Sequence, residues 1–183
     1  MICAMATSNV DPGKISAQRL RFRKLLLDDA AVWEEFLTDP EAVKLFPPFG
    51  EVKGYAIQWI EKQVIRYERD GSGLFALIEK NSNQFVGQCG LMIQEVSGVN
   101  EVEIGYHLLP RFWKNGFASE AAIACKNFAF ENNLFDSLIS IIDVRNAASM
   151  KVAERNGMRR EKQMIWRDLN VFIYRINKKD WRK

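Results

Sequence analysis

The chain has 183 residues, 48% of them hydrophobic and 27% charged, which suits one domain with a buried core; no apolar run reaches the roughly 18 residues of a membrane span. Its 26 basic and 23 acidic residues leave a formal charge of +3, too balanced to mark a nucleic-acid binder yet compatible with an anionic ligand in a local basic site. Cys3, Cys89 and Cys125 are far apart in sequence, without a CxxC pair or a histidine cluster, so neither a disulfide framework nor a metal site is indicated and a reducing, cytoplasmic setting is expected.

Residues 1–16, with Ser8, Asn9, Asp11, Pro12 and Gly13, read as a flexible arm, and residues 1–14 lack the basic-then-apolar order of a signal peptide. Residues 17–183 read as a single domain, without an internal repeat or a linker. Over 19–27 basic and apolar residues alternate, as in a strand with one wet face. Asp28 and Asp29 then stand where a helix cap belongs, before a short helix over 30–37 that breaks at Asp39-Pro40. Pro47-Pro48-Phe49-Gly50 forbids regular structure ahead of a second helix over about 55–69. Strands over 74–79 and 84–93 flank a polar turn and predict a hairpin, and a further strand covers 101–109. The second half alternates helix 117–132, strand 138–144 and helix 147–156, then strand-like patterns through Trp166 and over 171–176. Strand, helix, strand with short links implies a right-handed crossover, hence a parallel pair inside a mixed sheet.

The stretch Arg111-Phe-Trp-Lys-Asn-Gly-Phe-Ala-Ser-Glu120 carries the most information. A basic, glycine-containing turn that opens a helix directs unpaired backbone N–H groups and the positive end of the helix dipole at one small volume, where a phosphorylated ligand fits. Phe117, Ala121, Cys125 and Phe128 fall on one apolar face, so the helix packs on the sheet and holds that turn fixed. Downstream, Asn146 is positioned to cap the next helix, Ser149 lies in its first turn, and Asn156-Gly157 provides the stop.

The order of elements, together with Glu103-Ile-Gly-Tyr106, Leu108-Leu-Pro-Arg-Phe-Trp-Lys-Asn-Gly-Phe-Ala-Ser-Glu-Ala121 and Asn146-Ala-Ala-Ser-Met-Lys-Val-Ala-Glu-Arg-Asn-Gly-Met158, resembles the GNAT superfamily of acyl-CoA-dependent N-acetyltransferases, and within it the branch of the RimJ and RimL ribosomal-protein N-terminal acetyltransferases. The resemblance spans residues 17–181. It implies an α+β fold: a mixed, mostly antiparallel twisted sheet of about seven strands with a central parallel pair, flanked by about four helices. It also implies acetyl-CoA as co-substrate, with its pyrophosphate on the backbone of Lys114, Asn115, Gly116, Phe117, Ala118 and Ser119, its carbonyl and pantetheine arm at the Leu108 and Leu109 amides, and its pantetheine or pyrophosphate arm bonded by the Asn146 amide. The register of the basic signature leaves the side-chain role of Arg111 open. A homodimer is compatible with the branch.

In the implied reaction a neutral amine attacks the thioester carbonyl directly and coenzyme A leaves as thiolate, with no metal. Glu103, facing the cleft if Ile104 faces the core, is the candidate base; a cross-strand ion pair is its structural alternative. This chain has no tyrosine in the helix that follows Asn146, so Ser149 is the candidate hydrogen-bond donor to the departing thiolate, against a purely capping role. His107, the only histidine, lies on the Glu103 side and is more in keeping with structure than catalysis. Cys89 and Cys125 sit in apolar contexts, which argues against a cysteine nucleophile, and Tyr174 is placed at the edge of the substrate groove. Residues 46–69 are expected to form one wall of the acceptor cleft, but Glu51, Glu61 and Glu68 are offset there by Lys53, Lys62, Arg66 and Arg69. Charge therefore leaves the acceptor open between a ribosomal or other protein N-terminus and a small amine, with neither nucleic acid nor membrane as partner. A catalytically inactive coenzyme-binding module of the same fold is the alternative.

Overall fold

The computed structural model describes residues 9–182. In chain order the elements are β1 (Leu20–Arg23), α1 (Asp29–Thr38), α2 (Pro40–Val43), α3 (Val52–Arg69), β2 (Leu74–Glu79), β3 (Phe85–Val96), β4 (Val99–Leu108), α4 (Phe117–Glu131), β5 (Ser137–Asp143), α5 (Ala147–Arg155), β6 (Arg159–Trp166) and β7 (Leu169–Asn177). The strands form one sheet in the order β1-β2-β3-β4-β5-β7-β6, parallel only between β4 and β5. The mixed sheet and its strand count match expectation; a fifth helix, α2, arises because Asp39 caps the short turn that starts at Pro40, accepting from the Ala42 N–H.

Side-chain alternation sorts the sheet into two apolar faces. On one, Phe75, Leu77, Cys89, Leu91, Val102 and Ile104 pack against Phe117, Ala121, Cys125 and Ala129 of α4. On the other, Leu74, Ala76, Ile78 and Met92 meet Trp33 and Phe36 of α1 and Ala56 and Ile60 of α3. The small residues of α4 let that helix lie close to the sheet, bringing the Cys89 and Cys125 sulfurs within 3.8 Å although 36 residues separate them.

Several boundaries differ from the sequence reading, and two of them have a local cause in the side chains. β1 ends at Arg23 because Asp29 gathers both Arg23 guanidinium nitrogens, each at 2.7 Å, and the Leu26 N–H at 2.8 Å, turning the chain into α1. α3 begins at Val52 because the Glu51 carboxylate accepts from the Lys53 and Gly54 N–H groups and caps the helix. Of the expected flexible arm, residues 1–8 lie outside the described residues, and the expectation is corrected for 9–16. Val10 and Ile15 are buried, the Val10 N–H donates to the Gly71 carbonyl at 2.8 Å, and Pro12–Lys14 forms a 3-10 turn capped by Asp11. Apolar burial there outweighs the local turn-forming composition.

The parallel contact of β4 with β5 is short, with Glu103 and Ile139 as its register pair and the Ser140 hydroxyl donating to the Ile104 carbonyl at 2.9 Å. Beyond it, β4 runs on to Leu108 without a paired neighbour on the β5 side, leaving a split in the sheet next to α4 and α5.

Candidate active site

The turn before α4 is built for an anion. Lys114 and Gly116 adopt left-handed backbone conformations, at φ 63° and 81°, and Gly116 caps α4 without a side-chain hydrogen bond. The first helical bond runs from the Glu120 N–H to the Gly116 carbonyl at 3.0 Å, so the N–H groups of Phe117, Ala118 and Ser119 at the head of the helix have no intrahelical acceptor. The Ser119 hydroxyl, also in this first turn, is buried and has no hydrogen-bond partner among the described residues. An uncapped helix start, a glycine turn and an orphaned buried hydroxyl together fit a phosphate group.

Arg19, which the sequence pattern did not single out, braces this turn from the start of β1. Its backbone N–H and Nε donate to the Glu120 carboxylate at 2.6 and 2.7 Å, its Nη1 donates to the Asn115 carbonyl at 3.0 Å, and its guanidinium lies 4.4 Å over the Phe117 ring. Arg111 turns the other way: it pairs with Glu35 of α1 and covers the Phe112 ring, so its charge is already engaged outside the turn.

The two leucine amides expected to act together are separated by strand alternation. The Leu109 N–H donates to the Val86 carbonyl at 2.9 Å and belongs to the β3 side, which corrects its assignment as a free donor. In an antiparallel ladder the next residues point oppositely, so the N–H groups of Leu108 and Tyr106 face the split. The Leu108 carbonyl accepts from the Trp113 indole at 2.7 Å, tying the end of β4 to the anion-binding turn.

Across the split, the Asn146 side-chain oxygen accepts from the Ser149 N–H at 3.0 Å and caps α5, as expected. Ser149 therefore contributes its backbone to the cap, and its hydroxyl lies within hydrogen-bonding reach of the Tyr106 phenol. Its carbonyl accepts from the Tyr106 hydroxyl at 2.9 Å, a contact the sequence did not disclose. Burial raises the Tyr106 phenol pKa well above its ordinary value and keeps it a donor. Tyr174 is buried, with its hydroxyl directed at Glu154, so it does not edge a groove.

Glu103, Gly105 and His107 face the α1–α3 side of the sheet, opposite α4. The buried Glu103 carboxyl accepts from Gln94 Nε2 at 2.8 Å and the Ile141 N–H at 3.4 Å. Burial is the largest influence and raises its pKa, against the hydrogen bonds and the charges of Arg66 and Arg167. Its expected structural alternative, a direct ion pair, is absent among the described residues. His107 is partly exposed, with Trp33, Phe36, Phe46 and Trp59 ring centroids 5.4–6.4 Å away, and desolvation pushes its pKa down to about 4. It is neutral near pH 7.

A helix start shaped for phosphate, an adjoining split strand with inward N–H donors and a buried carboxyl on the opposite face define an acyltransferase that uses a phosphorylated acyl carrier. The model of the acetyltransferase (GNAT) domain matches residues 19–159, and the chain belongs to that family. It is an acetyl-CoA-dependent N-acetyltransferase. Bacillus subtilis YkkB is 31% identical over 162 residues, covering 88% of this chain and 94% of YkkB, and the N-acetyltransferase p20 of Bacillus licheniformis is 28% identical over 177 residues, covering 90% and 96%. Among solved structures, a GNAT acetyltransferase from Bacillus anthracis superposes with TM-score 0.74 at 25% identity, covering 90% of this chain and 98% of that one. RimL, the ribosomal L7/L12 alpha-N-protein acetyltransferase solved with coenzyme A, shares the fold with TM-score 0.74 at 16% identity, over 91% and 98%.

Proposed function

We propose that the chain acetylates a primary amine within a ternary complex, the coenzyme entering from the α4–α5 face and the amine from the α1–α3 face. One observation carries this reading: the β4 backbone offers its Leu108 and Tyr106 N–H groups to the split, while the Glu103 side chain of the same strand faces the opposite side. Donor and acceptor can then meet through the sheet without an acyl-enzyme.

Acetyl-CoA supplies an activated acetyl thioester. The Phe117, Ala118 and Ser119 N–H groups and the Ser119 hydroxyl hold its pyrophosphate, together with the Lys114-Asn115-Gly116 turn, and Arg19 keeps that turn in place. The Leu108 N–H stabilises the oxyanion that develops on the carbonyl. Glu103, in its ionised form, removes a proton from the amine directly or through water. The Ser149 hydroxyl donates to the departing sulfur, and Asn146 holds Ser149 in position. Fold likeness to RimL and to the ribosomal-protein-S5-alanine acetyltransferase of Vibrio fischeri supports a protein N-terminus as one acceptor source. A small amine is the other.

Initial rates of thiol release, measured with acetyl-CoA and the amine varied together, test the order of events. Intersecting double-reciprocal lines are expected. Parallel lines, the pattern of an acyl-enzyme, overturn the ternary complex.

A further inference from the structure

The charges that the sequence left in balance on α3 are separated by the fold. Glu51 is engaged in capping the helix, and Glu61 and Glu68 are exposed. Arg66, by contrast, is buried on the sheet side with 8% of its surface exposed. Its guanidinium reaches the sulfur of Met92, the cross-strand partner of Glu103, so it lies over the stretch of β3–β4 that holds the candidate base.

Two further cations with exposed side chains lie nearby. Arg167, in the turn between β6 and β7, donates to Gln94 Oε1 at 3.3 Å, and the same Gln94 donates to Glu103 at 2.8 Å. Lys62 stands one helical turn before Arg66, and its ammonium is destabilised by desolvation and by the fields of Arg66, Arg167 and Arg69. Arg69 is already neutralised by a bidentate contact with Asp70 at 2.6 Å. Among the described residues, none of Lys62, Arg66 and Arg167 forms an ion pair with a carboxylate. Glu103 and Asp70 are the carboxyls whose fields act on Arg66; Asp70 is engaged by Arg69, and Glu103 accepts from Gln94 and the Ile141 N–H.

Burying the Arg66 guanidinium costs desolvation energy that the fields of Glu103 and Asp70 offset only in part. Balancing Glu103 would require one cation; Arg66 and Arg167 both act on it, and Lys62 stands beside Arg66 on the same face of α3. We infer that the amine acceptor carries a carboxylate close to its amine, held by Arg66, Arg167 and Lys62 while the amine faces Glu103. This deepens the transferase reading above and rests on it. The carboxylate comes either from a free amino acid or from an acidic side chain next to a peptide N-terminus; both present the same group to the same cations.

Matched acceptors separate the outcomes. Thiol release is measured with glycine, phenylalanine and glutamate, each against its α-amide, and with C-terminally amidated peptides carrying aspartate against asparagine at the second position. The anionic member of at least one series is expected to have a kcat/KM about tenfold higher or more, the usual scale of a charge-assisted contact. The series in which the preference appears identifies the source of the carboxylate. Arg167→Gln and Lys62→Gln, which alter accessible side chains, are expected to reduce that preference severalfold while the KM for acetyl-CoA stays unchanged; Arg66→Gln should abolish it. Equal use of neutral and anionic members overturns the inference and leaves the transferase intact. Binding of acetyl-CoA without turnover of any member overturns both.

Discussion

The Tyr106 hydroxyl donates to the carbonyl of Ser149 across 2.9 Å, joining β4 to the first turn of α5 over the open side of the sheet. The two walls of the split are thus held at a fixed spacing by one side chain. Tyr106→Phe is expected to lower unfolding stability by about 1 kcal/mol, the net worth of one hydrogen bond, in a denaturant titration. It should also lower kcat, because the Ser149 hydroxyl loses its fixed position.

Ser149→Ala separates the hydroxyl from the cap. The Asn146 bond goes to the Ser149 N–H and the Tyr106 bond to its carbonyl, so alanine keeps both. Stability is expected to fall by no more than about 1 kcal/mol, the net worth of the hydroxyl's own contact with the Tyr106 phenol. Turnover at saturation should fall about a hundredfold, the lower end for loss of a positioned proton donor. Full turnover with unchanged stability would dismiss the hydroxyl from the reaction.

Glu103, as the proposed base, is expected to set the acidic limb of the pH–rate profile. Its folded pKa is raised by burial, so the ionised, proton-accepting form is lost at a higher pH than for an exposed glutamate. Activity should therefore climb as pH rises through that shifted value, and Glu103→Gln should remove the climb along with most of kcat. The linkage to folding has the opposite sense. Stability associated with this carboxyl is greatest below its unfolded pKa and declines as pH rises through its folded pKa, so the Gln variant should show less loss of stability on going to neutral pH.

Gly116→Val probes the anion turn. A left-handed backbone at φ 81° costs an L-residue about 1–2 kcal/mol, and a β-branched one more. Calorimetry is expected to show acetyl-CoA binding weakened by at least that amount, with the far-UV spectrum of the folded sheet retained.

Arg19→Ala tests the brace at a distance. Loss of its contacts with Glu120 and the Asn115 carbonyl frees the turn, and the KM for acetyl-CoA is expected to rise while kcat at saturation is preserved. A fall in kcat with unchanged KM would instead place Arg19 in the chemical step.

The anion turn was legible in the sequence because its signals are local: a glycine, a basic residue and an alanine-rich helix within ten positions. The facing of Glu103 followed from strand alternation, which needs only one correct neighbour. Leu109 was misread because its amide depends on which of two strands it addresses, and that choice is set by pairing with Val86. Arg111 and Arg19 show the same limit with opposite outcomes. One sits inside the motif and is drawn off by Glu35, and the other lies 96 residues from Asn115 and is brought to it by the order of strands. Neither long-range contact has a periodicity, so no spacing rule exposes it. The N-terminal residues 9–16 were read by composition, whereas two apolar side chains, Val10 and Ile15, determine their fate.

The Cys89–Cys125 contact gives the enzyme an internal clock. Both sulfurs are sealed between β3 and α4, and burial raises the Cys89 thiol pKa well above its usual range, so neither meets a labelling reagent while the helix stays seated. In a Cys3→Ser background, the labelling rate of this pair would count how often α4 lifts from the sheet. The same helix carries the proposed coenzyme turn at its start, so ligand binding there should slow the clock, linking occupancy at one end of α4 to exposure of a thiol farther along it.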